Sequence, residues 1–104
     1  MKHVQVSVYL HEDDKWQHRP LHLELLAMLD EREIAGGTVL RAVAGFTYHQ
    51  PVETSSLVDV GSKLPLVVQF IDTAVKIDSV LPTVLTMVGS RLVIREVVQV
   101  LSGI

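Results

Sequence analysis

The first ten residues, MKHVQVSVYL, alternate without a break. Val4, Val6, Val8 and Leu10 fall on one side of an extended chain, and His3, Gln5, Ser7 and Tyr9 on the other. A period of two marks a strand buried on one face only. Such a strand cannot stand alone. It needs partner strands beside it and a layer to cover its valines.

The rest of the chain supplies both. The polar run His11 to His18 reads as a loop, and Arg19-Pro20 opens a helix, with proline in the first turn where its missing N–H costs nothing. Leu21, Leu25, Met28 and Leu29 recur at helical spacing, and Leu23 and Leu26 broaden the stripe. Gly36 and Gly37 read as the glycines that end this helix. A second strand follows from Gly36 to Phe46, GGTVLRAVAGF, and a third from Leu64 to Asp72, LPLVVQFID, apolar enough to be central. Residues Thr73 to Val88 carry Ile77, Val80, Leu81, Val84, Leu85 and Val88 on one helical side. Pro82 interrupts that segment and predicts either a kink or a later start near Val80. Gly89-Ser90 closes the helix, and Arg91 to Leu101 gives the fourth strand.

The order is β-α-β-β-α-β, an α+β, ferredoxin-like arrangement in which two helices cover one face of a four-stranded antiparallel sheet. One domain is expected over residues 1–104. The connection from Thr47 to Lys63 is far longer than an ordinary hairpin loop. It is expected either to serve binding or regulation, or to hold a short strand at Leu57-Val58-Asp59-Val60.

Composition limits the function classes. The net charge is −3, which argues against a nucleic-acid protein needing a basic face. There is no cysteine, so disulfides, thiolate metal sites and cysteine nucleophiles are excluded. The N-terminal alternation is unlike a signal peptide, and no apolar run approaches a membrane span of roughly 18 residues. A cytoplasmic protein without membrane insertion is expected. Hydrophobic residues make up 48% of the chain but aromatics only 5%, and most of the apolar mass is Val, Leu and Ile. That excess fits either a well-filled core or sheet surface buried against other subunits.

Five histidines raise a metal reading, with His11, Asp13, His18 and His22 within twelve residues, but their spacing matches no zinc signature. Ser55 and Ser56 lie near His49 without a nucleophile elbow or an acid to orient the histidine, so no catalytic residues are assigned. An enzyme is not expected, nor a resident cofactor. The glycines and Arg41 admit two readings. Gly36-Gly37-Thr38 and Gly45-Phe46 let backbone N–H groups approach an anion, with Arg41 adding charge; or the glycines are a cap and a bulge and Arg41 faces solvent.

The motifs in order resemble the PII-like proteins, in particular the uncharacterised family filed as domain of unknown function 190. The resemblance is carried by Arg19-Pro20-Leu21, GGTVLRAVAGF, Thr54-Ser55-Ser56-Leu57, Leu64-Pro65-Leu66-Val67-Val68 with Ile71-Asp72, Lys76-Ile77 and Val80-Leu81-Pro82. It implies a homotrimer of ferredoxin-like subunits with ligand clefts between them. It further implies a small anionic ligand, an adenine nucleotide in PII itself, and signalling to a partner protein through a mobile loop. On that resemblance Gly36 and Thr38 would sit near the base, Gly45 and Phe46 at the root of the loop, and residues 47–63 would form the loop. Gly37 and Arg41 would join the binding set. The glycine- and lysine-containing phosphate loop that PII has after its second helix is absent, and Gly89-Ser90-Arg91 stands in its place; Gly89 and Arg91 complete the expected binding set. One residue more separates Thr38 from Gly45 than in PII, which predicts a bulge. The alternatives are a metal-binding trimer resembling the copper-tolerance relatives of PII, through His11, His18, His22 or His49, and a small ferredoxin-like enzyme.

Overall fold

The computed structural model describes residues 1–47, 53–54 and 64–104. The chain forms β1 (His3–His11), β2 (Lys15–Trp16), β3 (Arg19–Pro20), α1 (Leu21–Glu31), β4 (Gly36–Arg41), β5 (Ala44–Gly45), β6 (Glu53–Thr54), β7 (Pro65–Thr73), α2 (Ala74–Val88) and β8 (Val93–Val98). The main sheet has the order β4-β7-β1-β8, and every pairing in it is antiparallel. This is the ferredoxin-like α+β arrangement.

The alternation of β1 is realised in full. Val4, Val6 and Val8 are completely buried and meet Leu66, Val68 and Phe70 of β7 under the two helices. From α1 come Leu21, Leu25 and Leu29; from α2 come Ile77, Val80, Val84, Met87 and Val88. The stripes are narrower than the leucine spacing implies. Leu23 and Leu85 lie on the outer sides of their helices and are half exposed, while Leu26, Met28 and Leu81 pack at the core's margin.

The polar run after β1 is a small hairpin rather than a plain loop. β2 pairs with β3, and Gln17 and His18 at its tip both take positive φ, 49° and 70°. Two left-handed residues in succession match the right-handed twist of a tight two-residue turn.

The helix-capping role expected of Gly36 and Gly37 is not what the structure shows. α1 closes earlier, through Arg32 N–H to Met28 O and Ile34 N–H to Leu29 O, and Glu33 supplies the left-handed residue at φ 60°. The glycines open β4 instead. A Cβ on Gly36 would stand 3.2 Å from Ile71 Cγ2, and one on Gly37 3.3 Å from Leu26 Cδ2. Their absent side chains let β4 lie close to β7 and α1. The GGTVLRAVAGF run also divides. β4 ends at Arg41, Ala42 keeps one bond to Pro65 O, and Ala44–Gly45 pairs separately with Glu53–Thr54.

Pro82 neither breaks α2 nor delays its start. The helix begins at Ala74, where Thr73 Oγ1 accepts the Lys76 N–H at 3.3 Å, and it runs to Val88. Pro82 sits on the exposed side, so its missing N–H leaves a carbonyl that water can reach. The expected short strand at Leu57–Val60 lies outside the described residues, as does the connection 47–63 apart from Thr47 and Glu53–Thr54.

Residues opposite one another in the ladders share a face. The side without helices therefore carries Tyr9 opposite Val67, Gln5 opposite Ile71, Ser7 between Gln69 and Ile94, and Leu40 beside Val67. Ser7 is buried there by its neighbours, and Gln69 Nε2 donates to its Oγ at 3.4 Å. No described helix covers this face.

Candidate functional site

Each end of β4 presents its own surroundings. Its six residues step about 3.3 Å each, so Gly36 and Arg41 stand about 17 Å apart along the strand. Gly36, Gly37 and Thr38 lie at one end of the sheet. A hollow of about 120 Å³ opens beside them on the uncovered face, lined also by Gln5, Gln69 and Ile71. Gly36 and Gly37 border a second hollow of about 310 Å³ on the helix side, with Asp30 and Ile34.

The other end of β4 leads to Gly45 and Phe46, which line a different cleft. Its volume is about 120 Å³, and Tyr9, His11, Ala42, Pro65 and Val67 complete most of its wall. The cleft is mainly apolar, and it is the scale of cavity that admits one small ring system, since an apolar cavity of about 150 Å³ takes up benzene. Two backbone bonds hold this end of the sheet: Ala42 N–H donates to Pro65 O, both in the cleft wall, and Glu12 N–H to Leu64 O, each at 2.9 Å. Phe46 is largely exposed at the mouth.

Both candidate arginines are already paired. Arg41 Nη2 meets Glu12 Oε1 at 2.5 Å in an exposed pair. Arg91 Nε donates to Asp14 Oδ2 at 2.8 Å, and its Nη1 donates to Val88 O at 3.0 Å. Asp14 Oδ2 also accepts the His11 N–H at 2.8 Å. Burial alone would push the Asp14 carboxyl up. The Arg91 hydrogen bond and the His11 N–H, helped by the positive charge of Arg91 and the His11 imidazole, outweigh it and hold the carboxyl below the ordinary carboxylate range. Reciprocally, the hydrogen bond to Asp14 raises Arg91. Gly89 closes α2 at φ 60°, next to this pair.

The sequence-predicted residues thus fall into two groups. Arg41, Gly45, Phe46, Gly89 and Arg91 belong to the sheet end formed by the C-terminus of β1 and the start of β7. Gly36, Gly37 and Thr38 belong to the opposite end. No cleft among the described residues of one chain contains both groups. Sequence reasoning passed over Tyr9, His11, Pro65 and Val67 as cleft residues and Glu12 and Asp14 as arginine partners. For Tyr9 the signal was available, because alternation places it opposite the core valines at the end of β1.

The described histidines do not converge. His18 sits at the hairpin tip, and His22 lies on α1 with a buried Nδ1 that has no partner among the described residues. No group of three or more His, Cys, Asp or Glu able to hold a metal occurs among the described residues. His49, Ser55 and Ser56 lie outside them. No helix among the described residues is long and apolar enough to cross a membrane.

Comparison with known proteins identifies the family and the fold. The family model for DUF190, described as Uncharacterized ACR, matches residues 3–100. A UPF0166 protein from Aquifex aeolicus (strain VF5) is 32% identical over 77 residues, covering 74% of this chain and 73% of that protein. Among solved structures, CPII from Thiomonas intermedia K12, bound to ADP and bicarbonate, superposes with a TM-score of 0.57. That likeness covers 96% of this chain and 89% of CPII at 14% identity, a similarity of fold.

Proposed function

The chain belongs to the DUF190 family with a PII-like fold, and from that premise we propose that it is a sensory protein that binds a small anionic ligand, an adenine nucleotide, in clefts between the subunits of a homotrimer. One observation carries the reading: the candidate residues are split between the two ends of β4. A cleft with Tyr9, Gly45 and Phe46 on one side is completed by Gly36 and Thr38 only if these come from a neighbouring copy.

Two further features support it. The uncovered sheet face carries Leu40, Val67, Ile71 and Ile94, apolar surface suited to subunit contact. CPII, whose fold is shared, is a protein bound to ADP. The apolar cleft would take the ring, and Arg41, next in the chain to the cleft-lining Ala42, would reach the anion. The connection 47–63 begins at the cleft-lining Thr47, and on this reading it relays ligand binding to a partner protein. The chain acts by binding in this account, without catalysis and inside the cytoplasm.

The test is twofold. Light scattering should give three times the 11.5 kDa chain mass. ADP at about 100 times its dissociation constant should stabilise the folded protein by about 2.7 kcal/mol in thermal melts. A monomer at micromolar concentration, or melts insensitive to adenine nucleotides, would defeat the reading.

A further inference from the structure

Arg41 ends β4, and Arg91 lies in the connection that leads into β8. These are the two edge strands of the sheet, yet both arginines are held by carboxylates of a single turn, Glu12 and Asp14. The two pairs are built differently. Asp14 is woven into the turn: its side chain accepts from His11 N–H and Arg91, its own N–H donates to His11 O at 3.1 Å, and its carbonyl accepts the Leu21 N–H at 2.8 Å. Arg91 is fixed in addition by Val88 O. Neither group can leave without undoing the turn.

Glu12 has no such ties. Among the described residues its carboxylate meets Arg41 alone, and the Arg41 guanidinium meets only Glu12. The Arg41 side chain is 62% exposed and that of Glu12 34%. A pair so wet is weak and readily exchanged. Its position is nevertheless fixed, because the backbone of Glu12 is bonded to Leu64 and that of Ala42 to Pro65, and the chain neighbours of the pair, His11 and Ala42, line the Tyr9–Phe46 cleft.

We infer that Glu12 is the charge-selecting residue of this cleft: it occupies Arg41 in the empty protein and is exchanged for the anionic group of the ligand. The inference rests on the cleft being an anion-binding site, as proposed above. A singly charged group on Arg41 merely replaces one carboxylate by its like. A group with two or more negative charges, such as a diphosphate, gains attraction that Glu12 cannot match and drives the displaced carboxylate into water. Ligands lacking charge have no call on Arg41 and are indifferent to Glu12.

The experiment compares the intact protein with its Glu12→Gln and Arg41→Gln variants, using inorganic pyrophosphate, adenosine and ADP as separate probes in melting and calorimetric titrations. Glu12→Gln should tighten pyrophosphate binding about threefold or more, the scale of an exposed ion pair, and leave adenosine unchanged. Arg41→Gln should abolish the pyrophosphate response. Equal pyrophosphate affinity in the intact protein and in Glu12→Gln overturns the exchange even if ADP binds. A pyrophosphate gain in Glu12→Gln without any response to ADP or adenosine upholds the exchange and defeats the nucleotide reading instead. Silence of all three proteins toward pyrophosphate overturns the exchange outright.

Discussion

Arg91 donates its Nε–H to Asp14 Oδ2 across 2.8 Å, joining the end of α2 to the turn after β1 over 77 residues of sequence. The carboxyl is held below its ordinary value in the folded chain. Its contribution to stability is therefore complete above the unfolded carboxylate value of about 3.9 and is lost as pH falls through the lower folded value. Asp14→Asn should lower stability at pH 7 by about 1–3 kcal/mol, the worth of hydrogen bonds to a charged group. It should also flatten the loss of stability below about pH 4. Urea unfolding at pH 7 and pH 3 measures both, and identical acid profiles for the two proteins would refute the assignment.

Arg41 offers the opposite case. Its side chain is largely exposed and its ion pair with Glu12 is a surface one, so Arg41→Ala should change stability by less than about 1 kcal/mol. ADP binding should weaken about tenfold or more, because a charged hydrogen bond to the ligand is lost. Calorimetry and light scattering on the variant decide it. Aggregation with unchanged ADP affinity would make Arg41 an interface residue.

Gly37 lies where β4 passes beneath α1, its missing Cβ 3.3 Å from Leu26 Cδ2. A valine there must push the helix outward. Gly37→Val should cost about 1–3 kcal/mol in denaturant unfolding, the usual range for overpacking. Full stability in that variant would show the strand free of the helix.

Pro82 sits in the interior of an unbroken α2 without an N–H to donate. Pro82→Ala restores one helical bond on the exposed side and should raise the urea midpoint by the equivalent of about 1 kcal/mol or more, some of the gain being offset by a freer unfolded chain. A lowered midpoint would show that the ring itself packs.

What could be read in the chain beforehand follows from the range of each rule. The alternation in β1 and the continuous apolar run of β7 depend on neighbours one or two residues away, so their burial was legible. The glycine pair was misread because a cap is a local rule, whereas the contacts that demand glycine come from Ile71 and Leu26, on other elements. Leu23 and Leu85 were misread because helical spacing shows which residues share a side but not how wide a strip the sheet can cover. The candidate site was least legible. Arg41 finds Glu12 across 29 positions, and Arg91 finds Asp14 across 77, so no spacing within a motif could reveal that both charges were already answered.

The opposed ends of β4 bear on how such a protein would report in a cell. On the proposed reading the pocket's walls belong to different copies and it exists only after assembly, so a lone chain would carry two halves of a receptor and no receptor. Occupancy on the proposed reading then tracks the abundance of the protein as well as that of its ligand. Dilution below the assembly threshold would silence the sensor even in saturating nucleotide.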